Sequence, residues 1–167
     1  VPVVDEALKL VRATLPAMID IRTRYAADAP PVLIDPTQIH QIIVNLATNA
    51  AHAIGGQGGR IDVCIDAVAV GPDFAGHAPG LRDGRYVRLE VADDGCGMDR
   101  ETLERIFDPF FTTKPQGLGT GLGLSVVHGI VKSYDGAVTV YSEPGKGTAL
   151  RVYTIADIFE DQHYRAR

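Results

Sequence analysis

Val4, Ala7, Leu8, Val11 and Leu15 recur at helical spacing and the run stops at Pro16, so the chain is expected to open with an amphipathic helix. Residues 19–26 then alternate apolar with polar, the period of a half-buried strand. Asp35 stands directly before a second helical pattern, with Pro36 at the first helical position and Gln38 at the third. That order predicts an N-cap and a capping box. The helix is expected to run to about Ile54, where Gly55 and Gly56 stop it. Strands are expected near residues 60–70 and 85–92, joined by the Gly- and Pro-containing stretch 71–84. A short helix over about 99–106, an irregular stretch over 108–120 and a third long helix over about 121–134 follow. Strands at 137–142 and 148–155 complete the pattern. Helices alternate irregularly with hairpins, which predicts an α/β fold with a mixed sheet and helices on one face. Residues 1–155 read as one domain and 156–167 as a polar tail.

Composition narrows the class. The 167 residues are 46% hydrophobic and 22% charged, an ordinary globular mix that excludes disorder and low complexity. Cys64 and Cys96 are too few for a disulfide framework and lack metal-ligand spacing. No apolar run approaches the ~18 residues of a membrane span, and no signal-peptide pattern opens the chain. A net charge of -5 argues against non-specific nucleic-acid binding. A soluble domain of a reducing compartment is expected, and its start at Val1 reads as a piece of a longer protein.

Three features carry chemistry. From Pro36 to Gly59 there is no Asp, Glu, Lys or Arg, although a helix of that length with a solvated face normally carries several. Its apolar arc is Ile39, Ile42, Ile43, Leu46, Ala50 and Ile54; the opposite side presents Gln41, Asn45, Asn49 and His52. The stripe is either a neutral surface or the wall of a pocket, where an Asn oxygen is a hard ligand suited to Mg²⁺. Next, the strand at 85–92 runs into Asp93, Gly95 and Gly97, either a plain turn or a place where backbone approaches a flat ligand. There is no GxGxxG fingerprint, and Gly145-Lys146-Gly147-Thr148 lacks a P-loop ending. Last, Gly117, Gly119, Gly121 and Gly123 alternate into the third helix, whose bared N–H groups suit an anion. Between Asp108 and Lys132 the only formal charge is Lys114, either a solvated loop lysine or a phosphate partner.

In this order the segments resemble the catalytic ATP-binding domain of sensor histidine kinases, in the superfamily that includes gyrase, MutL and the heat-shock chaperones. Asn45-Leu46-Ala47-Thr48-Asn49-Ala50 is similar to the N box, and Asp93-x-Gly95-x-Gly97 to the first glycine box. Phe107-Asp108-Pro109-Phe110 is similar to the F box, Gly117 to Gly123 to the second glycine box, and Gly145-Lys146-Gly147-Thr148 to the closing glycine–threonine motif. The stretch from Pro109 through Val131 is particularly like the nitrogen-regulation branch.

The resemblance implies a histidine kinase-like ATPase fold: a two-layer sandwich of about five strands and about three helices, with residues 1–155 the catalytic domain. It implies ATP and Mg²⁺ as cofactors, with Asn49 on the metal, Asn45 supporting it, and His52 and Lys114 near the phosphates. Asp93 is expected to accept from the adenine amino group, Gly95 and Gly97 to let the base lie close, and Thr148 to support Asp93. Ile106, Phe107, Thr113, Lys114, Gly117, Leu118, Gly119, Thr120, Gly121 and Leu122 are expected to complete the nucleotide envelope. The reaction implied is phosphoryl transfer to a histidine, which rests on positioning and charge neutralisation.

None of His40, His52, His77, His128 or His163 is followed by an acidic residue, as family acceptor histidines are. The expected partners are therefore an acceptor-histidine dimerisation domain outside this chain and, through the parent protein, a response regulator receiver domain. Nucleic acid and direct membrane contact are not expected, and the expected location is cytoplasmic. The alternatives are an ATP hydrolase of the same superfamily and a module that binds nucleotide only to control association.

Overall fold

The computed structural model describes residues 1–75, 78 and 80–156; the expected tail from residue 157 lies outside them. Helix α1 (Pro2–Thr14) buries Val4, Ala7, Leu8 and Val11, the stripe its spacing predicts. Strand β1 (Ile19–Tyr25) leads to α2 (Pro36–Ile54), whose N-cap Asp35 accepts from the Thr37 N–H at 2.8 Å. The second half of the expected capping box is replaced. Gln38 Oε1 accepts from the Tyr134 hydroxyl at 2.5 Å, and that hydroxyl accepts from the Asp35 N–H at 3.2 Å. A hydroxyl both donates and accepts, so one tyrosine from far along the chain completes the cap.

After a 3₁₀ turn (Gly55–Gln57) come β2 (Gly59–Val70), a single helical turn α3 (Pro72–Ala75), and β3 (Gly84–Asp93). The helix expected over 99–106 is only α4 (Arg100–Leu103), capped by the Asp99 carboxylate on the Thr102 N–H at 2.8 Å. Residues 104–107 turn instead of continuing the helix, and Ile106 is buried there, 6% exposed. Residues 108–120 hold no helix or strand, as expected.

Helix α5 (Gly123–Ser133) starts two residues later than the pattern suggests. Gly121 explains the delay: its φ is 71° and its carbonyl accepts from the Phe110 N–H at 3.0 Å. A Cβ there would lie 2.4 Å from the Phe110 carbonyl carbon, so the bare glycine closes the neck of the preceding loop. Strands β4 (Ala137–Glu143) and β5 (Gly147–Ile155) form the closing hairpin.

The five strands make one mixed sheet in the order β1-β2-β3-β5-β4, with β1 and β2 parallel and the other neighbours antiparallel. One face carries Ile61, Val63, Ile65, Val87, Val91, Leu150 and Val152, which pack with the buried stripes of α1, α2 and α5. This is the expected arrangement of three helices on one side. The opposite face is laced by ion pairs, Asp66 with Arg88 and Glu90 with Arg151, both at 2.5 Å. A smaller apolar cluster there seats Phe74, Ala78 and Leu81 of the 71–84 loop on Tyr86 and Tyr153. A cavity of about 340 Å³ on that outer face, lined by Phe74, Arg88, Arg151 and Tyr153 among others, shares no residue with the candidate site.

Candidate functional site

The site is built on α2. Ile42, Ile43, Leu46, Ala47 and Ala50 are buried, which fixes the helix's rotation and turns Asn45, Asn49 and His52 outward to one side. The N-terminus of α5 meets the two amides: a Cβ on Gly123 would lie 3.4 Å from Asn45 Oδ1 and 3.8 Å from Asn49 Nδ2. No side chain caps α5, so the N–H groups of its first turn remain available beside those amides.

The loop before α5 reaches the same patch through Lys114. Its ammonium lies 3.3 Å from Asn49 Oδ1 and 2.7 Å from His52 Nδ1. Partial burial lowers the Lys114 pKa, and burial together with the Lys114 charge lowers that of His52. Burial disfavours the charged form of each, and at His52 the neighbouring ammonium adds to that effect. Phe107 anchors the start of the loop by packing on His128 of α5, ring centroids 5.2 Å apart. Arg105 lies over the Phe111 ring at 4.4 Å. Thr113, Gly117, Leu118 and Thr120 are exposed on the loop, while Gly119 and Leu122 are half-buried. Among the described residues, every loop hydrogen bond to α2 comes from Lys114.

The third wall is the turn after β3. Asp93 Oδ1 accepts from the Gly95 N–H at 2.9 Å. Burial raises the Asp93 pKa, against the opposing pull of the Gly95 and Thr148 backbone N–H groups; neighbouring Asp94 adds to the rise. Thr148 thus meets Asp93 through its backbone, the register partner across β3 and β5, while its hydroxyl is 2.8 Å from Ser142 Oγ. Gly97 has φ 68°, and a Cβ on it would lie 1.9 Å from the Glu143 carbonyl oxygen. Its bareness is required by the β4–β5 hairpin whether or not a ligand lies against it.

Ser142 was not legible in the sequence. It accepts from the Met98 N–H at 2.8 Å and donates to the Gly147 carbonyl at 3.1 Å, tying the glycine turn to the closing motif. Only strand register brings it there, and no local pattern marks it.

A magnesium ion fits this donor set. Asn49 offers a hard oxygen that already faces a cation, the Lys114 ammonium. Among the described residues no three His, Cys, Asp or Glu side chains cluster for a metal, so its remaining ligands would come from phosphate and water.

A mixed sheet covered on one face by three helices, with an amide-lined helix, an open helix N-terminus and a glycine-rich loop converging beside it, defines an ATPase-type nucleotide fold. The chain belongs to the family described as histidine kinase-, DNA gyrase B- and HSP90-like ATPases, which matches residues 34–157. It is 41% identical over 135 residues to the sensor kinase CckA of Brucella abortus (strain 2308), covering 81% of this chain and 14% of that protein. It is 36% identical over 141 residues to the sensor histidine kinase ZraS of Escherichia coli (strain K12), covering 83% of this chain and 26% of that one. The chain thus spans about a quarter or less of these relatives. Among solved structures, the catalytic domain of histidine kinase ThkA superimposes with a TM-score of 0.72 at 27% identity, covering 92% of this chain and 90% of that one. Full-length ShkA in complex with AMPPNP gives a TM-score of 0.70 at 27% identity, covering 92% and 29%. Among the described residues no helix is long and apolar enough to cross a membrane.

Proposed function

We propose that this chain is the catalytic ATP-binding domain of a two-component sensor histidine kinase. On this reading it directs the γ-phosphoryl group of ATP to a histidine on a separate acceptor and dimerisation domain of its parent. That histidine then supplies a response regulator receiver domain, and the work is done in the cytoplasm. The observation that carries the reading is the convergence of two neutral amides, one ammonium and the open first turn of α5 on a single patch.

Each residue then has a physical task. Asn49 gives its carbonyl oxygen to magnesium, which when bound offsets phosphate charge and orients the transferring group. Asn45, one turn earlier on the same face, would support Asn49 in holding the ion by hydrogen bonding. Lys114, the α5 first turn and the amides of Gly117, Gly119 and Gly121 surround the polyphosphate with donors. His52 donates to a phosphate oxygen. Asp93 accepts from the adenine amino group, held in place by the Gly95 and Thr148 N–H groups. Ile106, Phe107, Thr113, Leu118, Thr120 and Leu122 complete the envelope around base and phosphates.

The test is labelling with γ-labelled ATP in the presence of the parent's acceptor-helix domain, supplied separately. Acid-labile, alkali-stable label should appear on the acceptor and none on this chain. Such label on this chain alone, or none on the acceptor, would refute the assignment.

A further inference from the structure

Lys114 fills the metal end of the site. Its ammonium approaches Asn49 Oδ1, the atom assigned above to magnesium, and His52 Nδ1. An ammonium only donates, so both partners must accept: Asn49 presents its oxygen, and His52 is held as the neutral ring with its proton on Nε2. The fold of the loop makes this reach available. Thr112 Oγ1 accepts from the Lys114 N–H at 3.1 Å. Gly119 leaves room for the stem, since a Cβ there would lie 2.9 Å from Lys114 Cδ. The loop is therefore fixed at its neck by the backbone pair of Phe110 and Gly121, and tied to α2 by one cation.

We propose that Lys114 is a built-in cation that latches the loop onto α2 in the nucleotide-free protein, and that a magnesium nucleotide enters by exchange with it. The ammonium leaves Asn49 as the metal arrives and turns to the phosphates. The exchange rests on the nucleotide reading above; the latch does not. Two cations cannot share one amide oxygen without strong repulsion. The exchange keeps the Asn49 and His52 acceptors satisfied before binding. It also means that nucleotide lacking a metal meets a positive charge already in place.

Hydrogen exchange of the nucleotide-free protein tests the latch. Lys114→Met should speed amide exchange over residues 111–120 by about fivefold to tenfold, the scale of one charge-assisted bond at a half-exposed position. His52→Ala should act in the same direction, and the double variant should be no faster than Lys114→Met alone. Unchanged exchange in this loop, with the sheet still protected, overturns the latch. Should Lys114→Met also loosen the sheet, His52→Ala decides: acceleration confined to the loop supports the latch, and none overturns it. Calorimetry with a non-hydrolysable ATP analogue tests the exchange. Replacing magnesium by EDTA should weaken binding more in Lys114→Met than in the unmodified protein, and an equal loss overturns the exchange. Failure of the unmodified protein to bind the analogue at all defeats the nucleotide reading and the exchange with it, while the latch is still judged from the nucleotide-free measurements.

Discussion

Asp93 concentrates two expectations in one carboxylate. A carboxylate accepts from the exocyclic amine of adenine, whereas guanine presents a carbonyl oxygen at that place and the two acceptors repel. A hydrogen bond to a charged group is worth about 1.5–3 kcal/mol, so Asp93→Ala should weaken ATP binding roughly 10- to 100-fold. Equal affinity of the unmodified protein for ATP and GTP in calorimetry would remove Asp93 from that role. The second expectation concerns pH. Burial is the largest influence on this carboxyl and pushes its pKa up. A group whose folded pKa lies above its unfolded value stabilises the fold most when protonated, and that contribution fades as pH rises through the folded pKa. Asp93→Asn, neutral at every pH, should therefore melt above the unmodified protein near about pH 7.5, and the gap should close toward about pH 4. A gap that widens in acid would mean that the Gly95 and Thr148 N–H groups outweigh burial.

At the scale of elements, the start of α2 depends on the end of α5. Tyr134 bridges the Asp35 N–H and Gln38 Oε1, so Tyr134→Phe leaves the first turn of α2 without its second cap. The expected cost is about 1 kcal/mol, seen as a melting temperature lower by about 2–4 °C. A variant that melts with the unmodified protein would show that water replaces the hydroxyl fully. The cap residue itself was legible, because Asp35, Pro36 and Gln38 are local; the tyrosine was not, because it lies 99 residues away from Asp35 in the chain. The end of α4 and the start of α5 differ from the pattern for specific reasons. The chain leaves α4 for turns in which Ile106 is buried, and the neck at Gly121 delays α5.

For the molecule as a whole, the question is where the phosphoryl group goes. In the hydrolases of this superfamily a glutamate one turn before the metal-binding asparagine activates water, and the resemblance sets Asn45 at that place. An amide has no useful basicity near neutral pH, and general-base assistance contributes ~10²–10⁴-fold. Mg-ATP should therefore be bound but hydrolysed at little more than background rate, the phosphoryl group awaiting a nucleophile from another domain. Steady-state phosphate release is the measurement. Robust multiple turnover that Asn49→Ala abolishes would assign the domain to the hydrolases.

The sequence by itself determined the order and type of the long elements, since apolar spacing dictates which faces must leave water. It also marked the charge-free face of α2, the glycines before α5 and the solitary Lys114, because an absence of charge and a run of glycines are visible without coordinates. Tertiary structure alone decided what meets what. The antiparallel register of β3, β4 and β5 set Thr148 beside Asp93 and Ser142 within hydrogen-bond reach of Met98, Gly147 and Thr148. It gave Gly97 a packing reason through Glu143. It also carried Lys114 across to residues 65 and 62 positions earlier, Asn49 and His52. Such contacts follow from sheet register and loop closure, which depend on the whole chain folding at once and leave no periodic trace along it.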